Sequence, residues 1–173
     1  WTADSETSFA ILDHLYDAGL RFIDTADAYS IFVPGHIGGE SETVIGEWLK
    51  LRGHRGDLII ASKVGAELAP DRKGLSRAYI MRAVEDSLRR LQTDYIDIYQ
   101  SHRDDHATPV EETLSAYDAL IKAGKVRIIG ASNYPSKRLE ESMDMSQQLG
   151  LPRYEVVQPH YNLYDREGFE RDN

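Results

Sequence analysis

Phe22-Ile23-Asp24-Thr25-Ala26-Asp27-Ala28-Tyr29 begins as a short apolar strand and passes at once into a polar turn carrying two acids and a tyrosine. In a parallel β/α architecture the loops leaving the carboxyl ends of the strands face the ligand. The stretch therefore predicts that Asp24 and Tyr29 are presented together at such an edge, with the strand itself running from Arg21 to Ala26.

Working outward, Ser5 to Ala18 carries Phe9, Leu12, Leu15 and Tyr16 at helical spacing, with Gly19 placed for a left-handed cap. Downstream, a loop with Pro34, Gly35, Gly38 and Gly39 leads to a helix starting near Ser41, whose stripe is Val44, Ile45, Trp48 and Leu49. Acids at Glu40 and Glu42 suit the loop and the positive end of that helix. Leu58 to Lys63 is a continuous apolar run ending on a lysine, the pattern of a strand covered on both faces. Ser76 is placed to cap a helix with Ile80, Val84, Leu88 and Leu91 on one face. Its outer face offers Glu85–Arg89 and Asp86–Arg90 as i,i+4 pairs.

Tyr95 to Gln100 is a third strand and delivers His102 into a polar loop. Thr108-Pro109-Val110-Glu111 reads as a capping box with proline at the first helical position, opening a helix that reaches Gly124. Val126 to Ala131 is a fourth strand ending on Ser132-Asn133, Ser136 to Leu149 a helix stopped by Gly150, and Glu155 to Pro159 a fifth strand. Strands thus recur at about the length of a βαβ unit, roughly 30 residues or a little more. Such a series implies a parallel sheet, doubly wound or closed as a (β/α)8 TIM barrel. No Gly-x-Gly-x-x-Gly follows any strand, which weakens the doubly wound dinucleotide-binding option. A complete barrel takes about 250 residues, so residues 1–173 are expected to be a single, incomplete barrel domain. It would hold the central strands, about two to six, with one strand before Trp1 and two after Asn173.

The totals exclude several classes. A 41% hydrophobic content over 173 residues supports a real core and argues against disorder. The formal net charge of −9 disfavours nucleic acid as a partner. Cysteine is absent, so neither disulfides nor thiolate sites form. Nothing approaches a membrane span or a signal peptide, and a cytoplasmic location is the expectation.

Read one at a time, the polar residues at strand ends have ordinary explanations. Asp24 can cap a turn, Tyr29 can pack, Lys63 can be a strand terminus or a Schiff-base lysine, and His102 can be a loop residue. His102-x-Asp104-x-His106, with His160, is a weak metal-ligand pattern; the reading adopted is that no metal is bound. Ser132-Asn133 can be a turn and Gln158 a satisfied polar group. Their joint placement at successive strand ends is what carries information.

That ordered set resembles the aldo-keto reductase superfamily. Gly-x-x-x-x-Asp-Thr-Ala-x-x-Tyr appears as Gly19 through Tyr29, followed by Gly39-Glu40-Ser41-Glu42 with Gly46, then Ser62-Lys63. Asp97-Ile98-Tyr99-Gln100-Ser101-His102, Gly124-Lys125-Val126-Arg127 and Gly130-Ala131-Ser132-Asn133 complete it. The long loop after Tyr29 and the run Gln158 to Arg166 are similar to the bacterial, potassium-channel-β-subunit-like branch.

The resemblance implies an oxidoreductase that reduces an aldehyde or ketone to an alcohol with NADP(H), by hydride transfer with a tyrosine proton donor. It implies a catalytic tetrad of Asp24, Tyr29, Lys63 and His102. In that set Lys63 would lower the tyrosine pKa and Asp24 would keep the lysine charged and aimed. His102 would orient the carbonyl oxygen. Cofactor binding falls to Asp24, Ser132, Asn133 and Gln158, the last three hydrogen-bonding the nicotinamide carboxamide. Ile31, Phe32, Val33 and Tyr161 are candidates for an apolar wall against a small-molecule carbonyl substrate. The same scaffold also serves as a nucleotide-binding regulatory subunit with little turnover, and assembly into oligomers is left open.

Overall fold

The computed structural model describes residues 3–172. Five strands form one parallel sheet: β1 (Phe22–Asp24), β2 (Ile59–Val64), β3 (Ile96–Ser101), β4 (Val126–Ser132) and β5 (Tyr154–Gln158). Their spatial order is β1-β2-β3-β4-β5, so each strand lies beside its sequence neighbours and the crossovers all run the same way round. The result is a curled half-barrel with helices between the strands, consistent with part of a (β/α)8 barrel.

The helices are α1 (Ser5–Asp17), α2 (Glu40–Arg52), α3 (Arg77–Leu91), α4 (Val110–Lys122), α5 (Ser136–Leu149) and α6 (Glu167–Asp172). The stripe Ile80, Val84, Leu88 and Leu91 of α3 is buried against the sheet, as its 3.6-residue spacing requires. Ile45, Trp48 and Leu49 do the same from α2, and Leu114, Tyr117 and Leu120 from α4. By contrast α1 buries no residue completely; Phe9, Leu12 and Tyr16 only rest on the core margin. No helix among the described residues is long and apolar enough to cross a membrane.

Several local expectations give way to tertiary contacts. Strand β1 is three residues rather than six: the Thr25 and Asp27 amides still donate to the Ala61 and Lys63 carbonyls, but from Asp27 onward the chain turns away. Ser76 caps α3 as expected, accepting from the Tyr79 amide at 3.4 Å. The capping box before α4 does not form. Thr108 Oγ1 donates instead to Asp105 Oδ2 at 2.6 Å, Pro109 is the cap residue, and no side chain caps the helix. Of the two i,i+4 pairs on α3, neither forms: Glu85 pairs with Lys125, Asp86 with Arg89, and Arg90 reaches across to Glu42. The helix α6 lies in a run that carried no helical expectation.

Strands β1 and β5 are the ends of the strand order. Phe22 is 54% exposed, Ile59 45% and Val157 48%, large apolar side chains that a barrel ordinarily covers.

Candidate active site

Register decides which side chains meet. In parallel pairing Asp24 lies opposite Ala61, Lys63 opposite Gln100, Gln100 opposite Gly130, and Ser132 opposite Gln158. Side chains two apart share a face, so Asp24, Lys63, Gln100, Ser132 and Gln158 point to the same, inner side of the sheet. Ser62, Tyr99 and Ser101 point the other way, towards the helices.

At the β1–β2 end, Lys63 is 1% exposed although it carries an ammonium. Its three protons are used: Nζ donates to Asp24 Oδ2 at 2.7 Å, to the Thr25 carbonyl at 2.9 Å and to the Tyr29 hydroxyl at 2.6 Å. The Tyr29 hydroxyl in turn donates to Asp24 Oδ2 at 3.0 Å. The structure therefore brings Asp24, Tyr29 and Lys63 into one hydrogen-bonded triangle. His102 completes the group, its ring meeting that of Tyr29 edge-on with centroids 5.9 Å apart. Its backbone amide is tied to the Val64 carbonyl at 2.8 Å, which extends the β2–β3 ladder by one residue and fixes the ring's origin.

The electrostatics differ in one respect from the expectation that Lys63 lowers the tyrosine pKa. Burial, reinforced by the Asp24 carboxylate, pushes the Tyr29 phenol above its ordinary value. Burial also lowers the Lys63 ammonium, with Asp24 opposing it. The lysine's charge is spent on Asp24, so the phenol is held in its protonated form. Burial and the nearby Lys63 and Arg103 cations bring His102 down to about 4, so its imidazole is neutral at physiological pH. Its buried Nδ1 has no hydrogen-bond partner. A neutral imidazole with an N–H lies beside a protonated phenol whose one proton here goes to Asp24; once that proton turns towards a bound oxygen, the two are donors side by side, the arrangement that stabilises charge developing on one oxygen.

The residues expected to meet a carboxamide form a second cluster. Asn133 sits in the left-handed region, φ 54°, where asparagine is tolerated better than most residues. There its backbone amide reaches the Gln158 carbonyl at 3.2 Å, and its side-chain amide donates to Ser132 Oγ at 2.9 Å and the His102 carbonyl at 3.2 Å. Asn133 thus ties this cluster to the one around Tyr29. Gln100 joins it unforeseen, donating to Gln158 Oε1 at 3.2 Å. Gly130 makes room for that contact, since a Cβ there would lie 2.9 Å from Gln100 Cγ. The buried Gln100 Oε1 has no partner. Hydroxyl and amide groups with spare donors and acceptors fit the amide of a nicotinamide.

Other anticipated groupings are dispersed. Asp104 is committed to Arg138 at 2.9 Å, the exposed His106 ring lies 3.3 Å from Asp104, and His160 lies 3.9 Å from Asp165. No metal-binding group of three or more His, Asp or Glu occurs among the described residues. Glu40 serves the loop, accepting from the Ile37 amide at 2.7 Å, but Glu42 does not simply favour the helix dipole. It is fully buried, accepting from Ser62 Oγ at 2.5 Å and from Arg90 Nε at 2.7 Å. Its position three and seven residues before Ile45 and Leu49, on the buried stripe, is the signal that marks it. Gln100 was signalled in the same way by its place two residues before His102. For Asp27, buried beside Glu42, the sequence carries no such sign.

Comparison with known proteins places this geometry in a family. The profile of the Aldo/keto reductase family matches residues 1–172. Aldo-keto reductase YhdN of Bacillus subtilis is 38% identical over 95% of the chain and 46% of that protein. Norsolorinic acid reductase stcV of Emericella nidulans is 37% identical over 96% of the chain and 43% of that protein. The "Probable voltage-gated potassium channel subunit beta" of Oryza sativa subsp. japonica is 33% identical over 98% of the chain and 50% of that protein. The chain spans about half the length of the curated relatives it matches.

Proposed function

The chain belongs to the aldo/keto reductase family, and from that premise we propose that it is the part of a single barrel domain holding the proton-transfer machinery of an NADP(H)-dependent carbonyl reductase. The observation that supports this reading best is the triangle of Lys63, Asp24 and Tyr29 beside a neutral His102. A reduced nicotinamide, when bound, supplies the hydride. The carbonyl oxygen then gains negative charge and needs a proton and hydrogen-bond donors.

In this reading Tyr29 gives its phenolic proton to that oxygen. Lys63, donating to the phenol oxygen, stabilises the phenolate left behind. Asp24 holds Lys63 in line, and in this reading it also contributes to cofactor binding. Neutral His102 donates to the carbonyl oxygen and sets its approach. Ser132, Asn133 and Gln158 hold the carboxamide, and Gln100 holds Gln158. A phenol whose proton is retained until an oxyanion forms is in the state that carbonyl reduction requires. The substrate class is a small aldehyde or ketone, and a cytoplasmic location follows from the same reading.

The test is Tyr29→Phe in the whole protein. We expect kcat for aldehyde reduction to fall by roughly 10²–10⁴-fold, with NADPH affinity within about threefold of the parent. Unchanged turnover overturns the assignment. Likeness to the rice channel β-subunit favours a second reading, a nucleotide-binding regulatory subunit. On that reading NADPH binds while a panel of aldehydes is turned over very slowly.

A further inference from the structure

Behind the Lys63–Tyr29 contact, on the helix side of the sheet, lies a pair of carboxyl groups that the proposed mechanism does not use. Asp27 is 1% exposed and Glu42 fully buried. Glu42 is satisfied by Ser62 and Arg90. Asp27 is not: neither of its oxygens accepts a well-formed hydrogen bond, the Ala28 backbone amide offering only weak support. A buried ionised carboxylate without such bonds is costly, and the usual escape is to keep the proton.

Asp27 also sits where its state matters. Its backbone amide donates to the carbonyl of Lys63 at 3.2 Å, and two residues on comes Tyr29, whose own amide bonds the Ala26 carbonyl at 3.4 Å. The segment Thr25–Tyr29 thus spans from the carbonyl that receives Lys63 Nζ to the phenol that receives it again. We propose that Asp27 is a positioning residue: its carboxyl group, buried beside Glu42 with no well-formed hydrogen bond to either oxygen, belongs to the Thr25–Tyr29 segment that its backbone amide seats against β2, and its ionisation releases that segment and with it Tyr29. The proposal deepens the reductase reading, since it concerns the residue assigned there as proton donor.

The charges facing Asp27 come from every neighbouring element. Glu42 on α2 opposes ionisation, while Arg90 on α3 and Arg72 in the loop before it favour it. Tyr79, Arg82 and Asp86 of α3 line the same small cavity. Tyr99 faces it from the helix side of the sheet, and the Lys63 ammonium, on the inner side, is still within electrostatic reach. Arg90 is already committed to Glu42 at 2.7 Å, so it cannot fully compensate a second carboxylate. The balance leaves Asp27 raised to about 7, burial first and Glu42 second among the causes.

The sign follows from linkage. With the acid's value raised in the seated state and ordinary when the segment opens, opening becomes easier as pH rises from the ordinary carboxylate range to the raised value. Between about pH 6 and pH 8 the open fraction should grow about tenfold.

The experiment is amide hydrogen exchange of the whole protein, comparing residues 25–29 with residues 80–88 of α3 as an internal reference. In the wild type, protection of residues 25–29 relative to that reference should fall about tenfold between pH 6 and pH 8. Asp27→Asn, which cannot ionise, should abolish the fall. A relative protection independent of pH in the wild type overturns the proposal, and this arm stands even if Asp27→Asn does not fold. An unchanged fall in Asp27→Asn overturns it too. With NADPH and an aldehyde, the wild-type kcat should decline over the same range relative to Asp27→Asn. Turnover lacking at every pH, with the exchange result as expected, would sink the reductase reading and leave the role of Asp27 in place.

Discussion

Replacing Asp24 with asparagine tests the physical core of the site most directly. Lys63 is 1% exposed and Asp24 29%, with 2.7 Å between Nζ and Oδ2. Removing one partner of a buried pair costs roughly 3–5 kcal/mol, because the other charge is left uncompensated. Asp24 keeps some contact with solvent, and asparagine retains an oxygen to accept from Lys63. The lower end, about 3 kcal/mol near pH 7, is therefore expected. The pH dependence is more discriminating than the magnitude. Burial already lowers the Lys63 ammonium and Asp24 opposes it, so without that carboxylate the folded-state value drops further. The unfolded chain then binds more protons than the folded one, and stability rises with pH. The deficit of Asp24→Asn relative to wild type should be full near neutrality and shrink towards about pH 10, where lysine loses its proton in any state. Urea unfolding of the whole protein, at pH steps from about 7 to about 10, measures both. A deficit below about 0.5 kcal/mol at pH 7, or one that grows with pH, would refute the claim that Asp24 holds a buried cation.

Two further outcomes follow from other parts of the molecule. His102 is lowered to about 4, so the folded state takes up its proton later than the unfolded chain as pH falls. Stability should be lost from about pH 6.5 down to about pH 4, and His102→Gln should recover about 2 kcal/mol of that loss after allowing for the ring's partial exposure; equal acid sensitivity of the two proteins would contradict it. At Gly46 a Cβ would fall well inside van der Waals contact distance of the Arg90 carbonyl oxygen, where α2 crosses α3. Gly46→Ala should cost about 3 kcal/mol in chemical unfolding, while Gly56→Ala, with nothing within 4 Å of the added carbon, should stay within about 0.5 kcal/mol; equal effects would refute a close backbone approach of α2 and α3 at Gly46.

Most elements were legible because their signals are local and periodic. The α3 stripe of Ile80, Val84, Leu88 and Leu91 needed only 3.6-residue spacing. The run Leu58 to Lys63 needed only continuity of apolar residues to read as a buried parallel strand. Element ends were less legible. Thr108 and Glu111 have the residue types of a capping box, yet Asp105, reaching also to the Leu75 amide at 2.8 Å, takes the threonine hydroxyl away. The helix pairs on α3 failed similarly, because Arg90 gains more from a buried carboxylate than from an exposed neighbour one turn away.

By itself, then, the order of residues determined the alternation of strands and helices and put Asp24, Lys63, His102, Ser132 and Gln158 at or beside strand ends. The spacing of an isolated chain is enough for that, since side-chain direction repeats every two residues in a strand. Only the tertiary structure decided which of those groups touch and in what state of charge. Strand register set Lys63 against Asp24 and Gln100 against Gln158 across 39 and 58 residues of chain. Burial, which no single residue carries in its own identity, keeps the proton on Tyr29, makes His102 neutral and raises Asp27. Those are properties of the space around a group, and that space exists only once the sheet and its helices have closed over it.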